Sequence, residues 1–320
     1  MKHSIFIGFT VAVVMAMAGV VSADQFWGSA SLGESTTQGG AVLYELDTAS
    51  GTVGTTYTYS NWNLILDVAY APDNVLYAVH NTTGSLANFY NFCLAKVDAT
   101  TGAVLSDTSI STIPGAGDQP QWNALKYYNG NLYAVENSTY PGSTSNARRG
   151  DIYQVALNGN GDPTSATLGA FVGLSNATDG SNPDGALAFH NGTWYASNWR
   201  TDHSSWIETS TDVMNTGFTA SLKTSPVGLF DGWDFDANGD LLGISWMANG
   251  NSPSSADYNV YKIDLSTGSA TVLYNIESQL PSDIASSGGS LSGLTAVPEP
   301  ATLSLVALAL GGLALIRKRK

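Results

Sequence analysis

Short runs of alternating apolar and polar residues, punctuated by Gly, Asn, Asp and Pro, fill residues 24–297, and long helical periodicity is almost absent. Such a pattern predicts strands joined by tight turns. One hairpin recurs four times, as "LDVAYAPDNVLYAVHN", "WNALKYYNGNLYAVEN", "DGALAFHNGTWYASNW" and "DGWDFDANGDLLGISW". A second hairpin alternates with it: "LYELDTASGTVGTTYTY", "LAKVDATTGAVLSDTSI", "IYQVALNGNGDPTSATLGAF" and "VYKIDLSTGSATVLYNI". These share an aromatic-apolar run followed by a Gly turn, usually Asp-x-x-Thr/Ser-Gly. The copy expected between Asn198 and Lys223 is degraded. Together the two hairpins make a four-stranded unit of about 50 to 60 residues.

The first strands of these units begin near Leu64, Trp122, Asp184 and Phe230, and a fifth, "SLSGLTAV", ends at Val297 with no second strand after it. The matching second strand stands at the other end of the domain, where "DQFWGSAS" is similar to "NVLYAVHN". One unit is therefore expected to be completed by both termini, which removes exposed sheet edges. The repeat resembles β-propellers whose blades read "GLAF-x-x-x-G-x-LY". The resemblance implies an all-β, five-bladed β-propeller closed by both termini, with a β-sandwich or an open β-repeat array as the alternative. It says little about chemistry.

The ends carry a different pattern. "MKHSIFIGFTVAVVMAMAGVVSA" has a lysine, an apolar run and small residues up to Ala23, the order of a cleaved export signal over residues 1–23. That signal implies the Sec export machinery and a signal peptidase as partners. At the other end, Ala301 to Ile316 form an apolar run of 16 residues. At about 1.5 Å per residue it spans roughly 24 Å as a helix, marginal for a ~30 Å hydrocarbon core. Arg317, Lys318, Arg319 and Lys320 follow and are expected to stay cytoplasmic, leaving the domain outside. The order Pro298-Glu299-Pro300, apolar helix, basic cluster resembles the PEP-CTERM sorting signal of Gram-negative bacteria, over residues 298–320 only. This implies recognition at Pro298, Glu299 and Pro300 by an exosortase, transient anchoring in the inner membrane, and release to the cell surface or exopolysaccharide matrix. A plain single-pass anchor is the alternative.

Charge narrows the partners. The whole chain has 26 acidic and 12 basic side chains, and setting aside Glu299, Lys2 and the four terminal bases leaves 25 acidic against 7 basic in the domain. That disfavours nucleic acid and other polyanions. Cys93 is the sole cysteine, so there is no internal disulfide; it reads as a small apolar strand residue. The remaining candidate partners are exopolysaccharide and surface proteins.

Candidate chemistry follows from the loops. One face of such a propeller carries short turns and the other long connections, where binding residues usually sit. The last strand should run toward the tight-turn face, so Val297 is expected there. At the long-loop mouth the candidates are Asp67, Asn123, Asp184 and Asp231, with Trp62 and Trp122 as stacking platforms for a sugar, although most tryptophans at strand positions are expected to be core between blades. Trp206 also lies near a loop. Carboxylates Asp67, Asp184 and Asp231 flanking a channel suit a glycoside hydrolase, the minority reading; Asx turns at repeat positions explain them without catalysis. His80, His190 and His203 show no metal spacing, and no phosphate-binding or dinucleotide motif is present. No cofactor is expected, calcium being the one alternative: Asp234, Asp236, Asn238 and Asp240 alternate like the start of a calcium loop, but Ser245 stands where a Glu is required. In the repeat register this stretch is a tight turn, with Asn238 and Gly239 expected to supply positive φ values. The favoured reading is a non-enzymatic exported binding or structural protein.

Overall fold

A computed structural model of the chain describes residues 25–31, 40–82, 92–116, 121–136, 150–171, 186–199, 205–225, 230–245, 258–286 and 290–297. The export signal (1–23) and the sorting segment (298–320) lie outside them. Among the described residues no helix is long and apolar enough to cross a membrane.

The alternating runs form twenty strands, in chain order β1 (Gln25–Ser31), β2 (Ala41–Asp47), β3 (Thr52–Tyr59), β4 (Leu64–Ala71), β5 (Val75–Asn81), β6 (Phe92–Asp98), β7 (Val104–Ser109), β8 (Trp122–Tyr128), β9 (Asn131–Glu136), β10 (Asp151–Leu157), β11 (Pro163–Phe171), β12 (Leu187–His190), β13 (Thr193–Trp199), β14 (Ser205–Ser210), β15 (Thr219–Lys223), β16 (Gly232–Phe235), β17 (Leu241–Ile244), β18 (Asn259–Ile263), β19 (Ala270–Asn275) and β20 (Ser290–Ala296). They build five antiparallel four-stranded sheets. Four are sequential, and the fifth has the order β20-β1-β2-β3. This is the five-bladed propeller with a blade shared by the two termini. The degraded repeat still forms a hairpin, β14 with β15.

Burial explains the sequence pattern. The second and third strands of a blade lie between neighbouring blades and are covered on both faces: β5 is buried at six of its seven positions, and β2 nearly as fully. Fourth strands face solvent and are rich in Ser, Thr and exposed residues, as in β3, β7 and β19. Five apolar clusters fill the blades and the spaces between them, with Trp62, Trp122 and Trp233 among the largest buried side chains.

Adjacent blades are also latched at their outer rims. Tyr57 donates its hydroxyl to the Ala99 carbonyl of the next blade (3.1 Å), and Tyr274 donates to Thr48 (2.7 Å). Both acceptors sit in Asp-x-x-Thr/Ser-Gly turns, which are held by the Asp side chain. Asp98 accepts from the Thr100 N–H at 2.7 Å, and Asp47 from the Ala49 N–H at 2.8 Å.

Three of the first-hairpin turns have two successive positive-φ residues: Asn129/Gly130 and Asn191/Gly192 in two-residue loops, and Asp73/Asn74 in the three-residue loop between the Ala71–Val75 pair. The fourth departs from expectation: only Gly239 (φ 80°) is left-handed, and Asn238 is not. The cause is Asp236, whose Oδ1 accepts from the Asn238 N–H (2.9 Å) and the Asp240 N–H (2.7 Å) and shapes a longer loop.

The closing strand is seated tightly. β20 pairs with β1 from Phe26↔Ala296 to Ser31↔Ser290, with a bulge at Gly293. Gly293 has φ 76°, and a Cβ there would meet Asp67 Oδ1 at 2.7 Å and the Val68 nitrogen at 2.8 Å. Gly232 approaches from the other side, its virtual Cβ 2.4 Å from the Leu294 nitrogen. Gly293→Ala combines positive-φ strain with overpacking and should cost roughly 2–4 kcal/mol. A lower urea midpoint at unchanged m-value checks it; a midpoint equal to that of the parent contradicts the tight seating.

Candidate functional site

The innermost strands form a closed ring, β4, β8, β12, β16, β20 and back to β4. Equivalent ring positions are identified by their partners in each second strand: Ala69 opposite Tyr77, Lys126 opposite Tyr133, Ala188 opposite Tyr195, Asp234 opposite Leu242, and Thr295 opposite Trp27. At this level two blades that are not neighbours are joined by charge, the Lys126 ammonium donating to Asp234 Oδ2. The lysine side chain is 15% exposed and the aspartate 3%. Asp234 is further held by the N–H groups of Phe235 and Ala296, each at 2.9 Å. Thr295 Oγ1 in turn accepts from the Tyr70 N–H at 3.2 Å. One side-chain level therefore ties β8, β16, β20 and β4 together.

Asp67 lies deeper in the same ring and is fully buried. Its carboxylate accepts from the Val68 N–H at 2.8 Å and, from the next blade, the Leu125 N–H at 2.6 Å. Burial pushes its pKa well above the ordinary 3.8, the nearby Asp234 charge adding to the rise, while the two N–H bonds and Lys126 oppose it.

The other residues nominated from sequence are dispersed. Asn123 is the bulge residue between Trp122 and Ala124, one ring position away from Asp67. Asp231 precedes β16 and is half-buried; its N–H bonds the Ile244 carbonyl at 3.1 Å, and its carbonyl accepts from the Gly293 N–H at 3.2 Å. Asp184 and His203 lie outside the described residues. Trp62 and Trp122 are 1% and 0% exposed, so neither offers a ring face to solvent. Trp62 is instead sandwiched between Tyr59 and His80, each at 4.0 Å between ring centroids. The acidic turn is also divided among separate partners: Asp234 faces the ring, Asp236 holds its own loop, and Asp240 pairs with Lys262.

A second polar level escaped the sequence reading. Near the long-connection ends of the second strands stand His80, Glu136, Asn198 and Ser245, at corresponding repeat positions and all 0% exposed. Glu136 accepts from the Gln121 N–H at 3.0 Å, and Asn198 donates to Glu208 at 2.7 Å. The signal was present as a column that is polar in four of the five copies ("VHN", "VEN", "SNW", "ISW"). His80 belongs to a further cluster: its Nε2 lies 3.0 Å from Asp107 Oδ1, and Cys93 Sγ completes a set of ligand-type atoms all within 4.8 Å of one another. Burial, then the Asp107 charge, pushes the Cys93 thiol up to about 11. Cys93 itself is only partly buried.

The tight-turn face carries grooves between blades. One, of about 260 Å³, is lined by Trp27, Tyr57, Tyr70, Asn74, Thr100 and Val297 among others. Val297 donates its N–H to the Gln25 carbonyl at 2.8 Å. The chain thus leaves the propeller beside the Asn74 and Thr100 turns, on the tight-turn face.

Residues 296–320 match the PEP-CTERM protein-sorting motif. The motif marks the chain for export and for membrane-anchored, exosortase-dependent sorting toward the cell surface. No curated protein matches the chain. Among solved structures, a Bacteroides caccae protein of unknown function is similar over 86% of this chain and 100% of its own, at 11% identity and TM-score 0.46. An α-L-arabinofuranosidase of Clostridium thermocellum is similar over 79% and 91%, at 13% identity and TM-score 0.45. The GH74 enzyme of Niastella koreensis is similar over 73% of this chain and 35% of its own, at 16% identity and TM-score 0.39. At TM-scores below 0.5 these likenesses carry nothing about what this chain binds or does.

Two outcomes test the ring. Lys126→Ala leaves the Asp234 charge buried without its cation and should cost about 3–5 kcal/mol, with part regained on adding Asp234→Asn; a loss under about 1 kcal/mol would show the pair to be water-screened. Because the folded-state pKa of Asp67 is raised, its contribution is most favourable below pH 3.8 and declines as pH rises through the folded value. The stability of the parent relative to Asp67→Asn, from urea titrations at stepped pH, should therefore fall with rising pH. A difference independent of pH refutes the raised value.

Proposed function

We propose that this protein is a non-enzymatic binding or structural propeller, displayed at the cell surface or in the extracellular matrix after removal of its tail. The observation that carries the reading is the exit of the sorting motif from the tight-turn face beside Val297. While the tail is still in the inner membrane, that face looks toward the bilayer and the long-connection face points away, free to meet a partner. The long connections then act as the contact surface on a rigid ring. Exopolysaccharide is the proposed partner, with a surface protein as the other class. The excess of acid over base in the domain favours neutral sugars over polyanionic ones.

The hydrolytic alternative requires two carboxyl groups that a glycosidic bond can reach. Of its candidate carboxylates, Asp67 is buried and engaged by two backbone N–H groups, Asp231 is half-buried, and Asp184 lies outside the described residues. The commitment of Asp67 to holding the ring supports the binding reading.

The exported protein recovered from the producing cells, placed on a glycan array and incubated in parallel with the same polysaccharides, should bind neutral glycans without releasing reducing ends. Release of sugar that disappears in Asp231→Ala would overturn the non-enzymatic reading in favour of hydrolysis. Absence of glycan binding would turn the partner assignment to protein.

A further inference from the structure

His80, Cys93 and Asp107 come from three successive strands of one blade, β5, β6 and β7. His80 and Cys93 are direct cross-strand partners, and Asp107 lies diagonally from Cys93, opposite Ala95. Side chains related in this way project from one face of the sheet. The imidazole is immobilised: it is 0% exposed, and its ring is stacked on Trp62 at 4.0 Å with 15° between planes. Asp107 is 38% exposed at its side chain, so solvent reaches the cluster from that side. We infer that His80 Nε2, Cys93 Sγ and an Asp107 carboxylate oxygen form a binding site for a zinc-type divalent cation, with water as the fourth ligand.

The donor set decides the class of ion. One imidazole, one thiolate and one carboxylate suit zinc, whereas calcium and magnesium prefer all-oxygen shells. Distances decide feasibility. With metal–ligand bonds of about 2.0 to 2.3 Å, the edges of a tetrahedral shell are roughly 3.3 to 3.8 Å. The His80–Asp107 separation of 3.0 Å is slightly inside that range, and the widest pair in the set is at most 4.8 Å. Closing the shell therefore takes shifts of about 1 Å, and a rotation of the exposed Asp107 side chain provides much of that. On binding, the Cys93 proton leaves to solvent and the imidazole carries its remaining proton on Nδ1, freeing the Nε2 lone pair. Nδ1 has no hydrogen-bond partner among the described residues, so no donor there opposes a proton on Nδ1, and the cation takes the place of the Nε2 proton that Asp107 accepts in the metal-free arrangement. Without a cation the same three groups form only a His–Asp hydrogen bond beside a thiol, which is the competing account.

The experiment uses purified full-length protein stripped of metal and titrated with Co²⁺, then Zn²⁺. Expected is one Co²⁺ per chain, with a thiolate-to-cobalt charge-transfer band and visible bands of tetrahedral intensity, both removed by Zn²⁺. Cys93→Ala should abolish the charge-transfer band. Asp107→Ala, at a partly exposed position that should leave folding intact, should weaken Zn²⁺ binding by more than about tenfold, since losing a ligand costs at least as much as losing a group that merely orients one. A parent protein that leaves the spectrum of aqueous Co²⁺ unchanged overturns the site. So does binding whose affinity is the same in Asp107→Ala, which would place the ion on other surface carboxylates.

Discussion

The ring of five innermost strands can close only if β20, the last strand of the domain, pairs with β1 of its own blade and fits between the neighbouring β4 and β16. Backbone is packed directly against backbone at this point: Gly232 touches the β20 main chain at Leu294 and Gly293, and Gly293 touches Asp67 and Val68. No side chain can be accommodated at either glycine without displacement. All the other blades depend on this contact, because a propeller with an open seam would leave two sheet edges and two blade faces in water. Apolar clusters continuous across blade boundaries then make closure cooperative.

Two polar levels are built on that ring, with different consequences. Near the tight-turn end, Lys126, Asp234 and Thr295 stitch separate blades together around one carboxylate. Buried ionic groups of this kind stabilise less than apolar packing would, but they penalise any arrangement that leaves one of them unpaired. Toward the long connections, His80, Glu136, Asn198 and Ser245 occupy a level that in four of five copies is polar. Its members bond neighbouring segments, as Glu136 does with Gln121, and in one blade the level opens into a cluster of imidazole, thiol and carboxylate.

The direction of the chain connects these levels to export. β20 delivers Val297 to the turns that carry Asn74 and Thr100, and the matched sorting motif begins there. In the proposed reading the propeller is held, while its tail is attached, by the face with the shortest turns. The same reading leaves the opposite face, beside the polar level of His80, Glu136, Asn198 and Ser245, available to a partner.

Strand content, hairpin repeats, five-fold closure by both termini and the sorting motif were all legible in the sequence, because each follows from local periodicity or from short-range order of residue types. "DQFWGSAS" and "SLSGLTAV" could be matched as halves of one blade because each keeps the apolar alternation of its repeat position. Side-chain partnerships were not legible. That Trp62 and Trp122 are core suits large apolar residues at strand positions, but that Trp62 stacks between Tyr59 and His80 is not written in the sequence; the turn at Asn238 has the residues of a two-residue loop, yet Asp236 reshapes it. His80, Cys93 and Asp107 show no spacing motif because the sheet, through pairing register, brings them together across two hairpins. Periodicity is written in neighbouring residues and can be read along the chain, whereas contacts between residues far apart in it are decided only when the strands pair and the blades close.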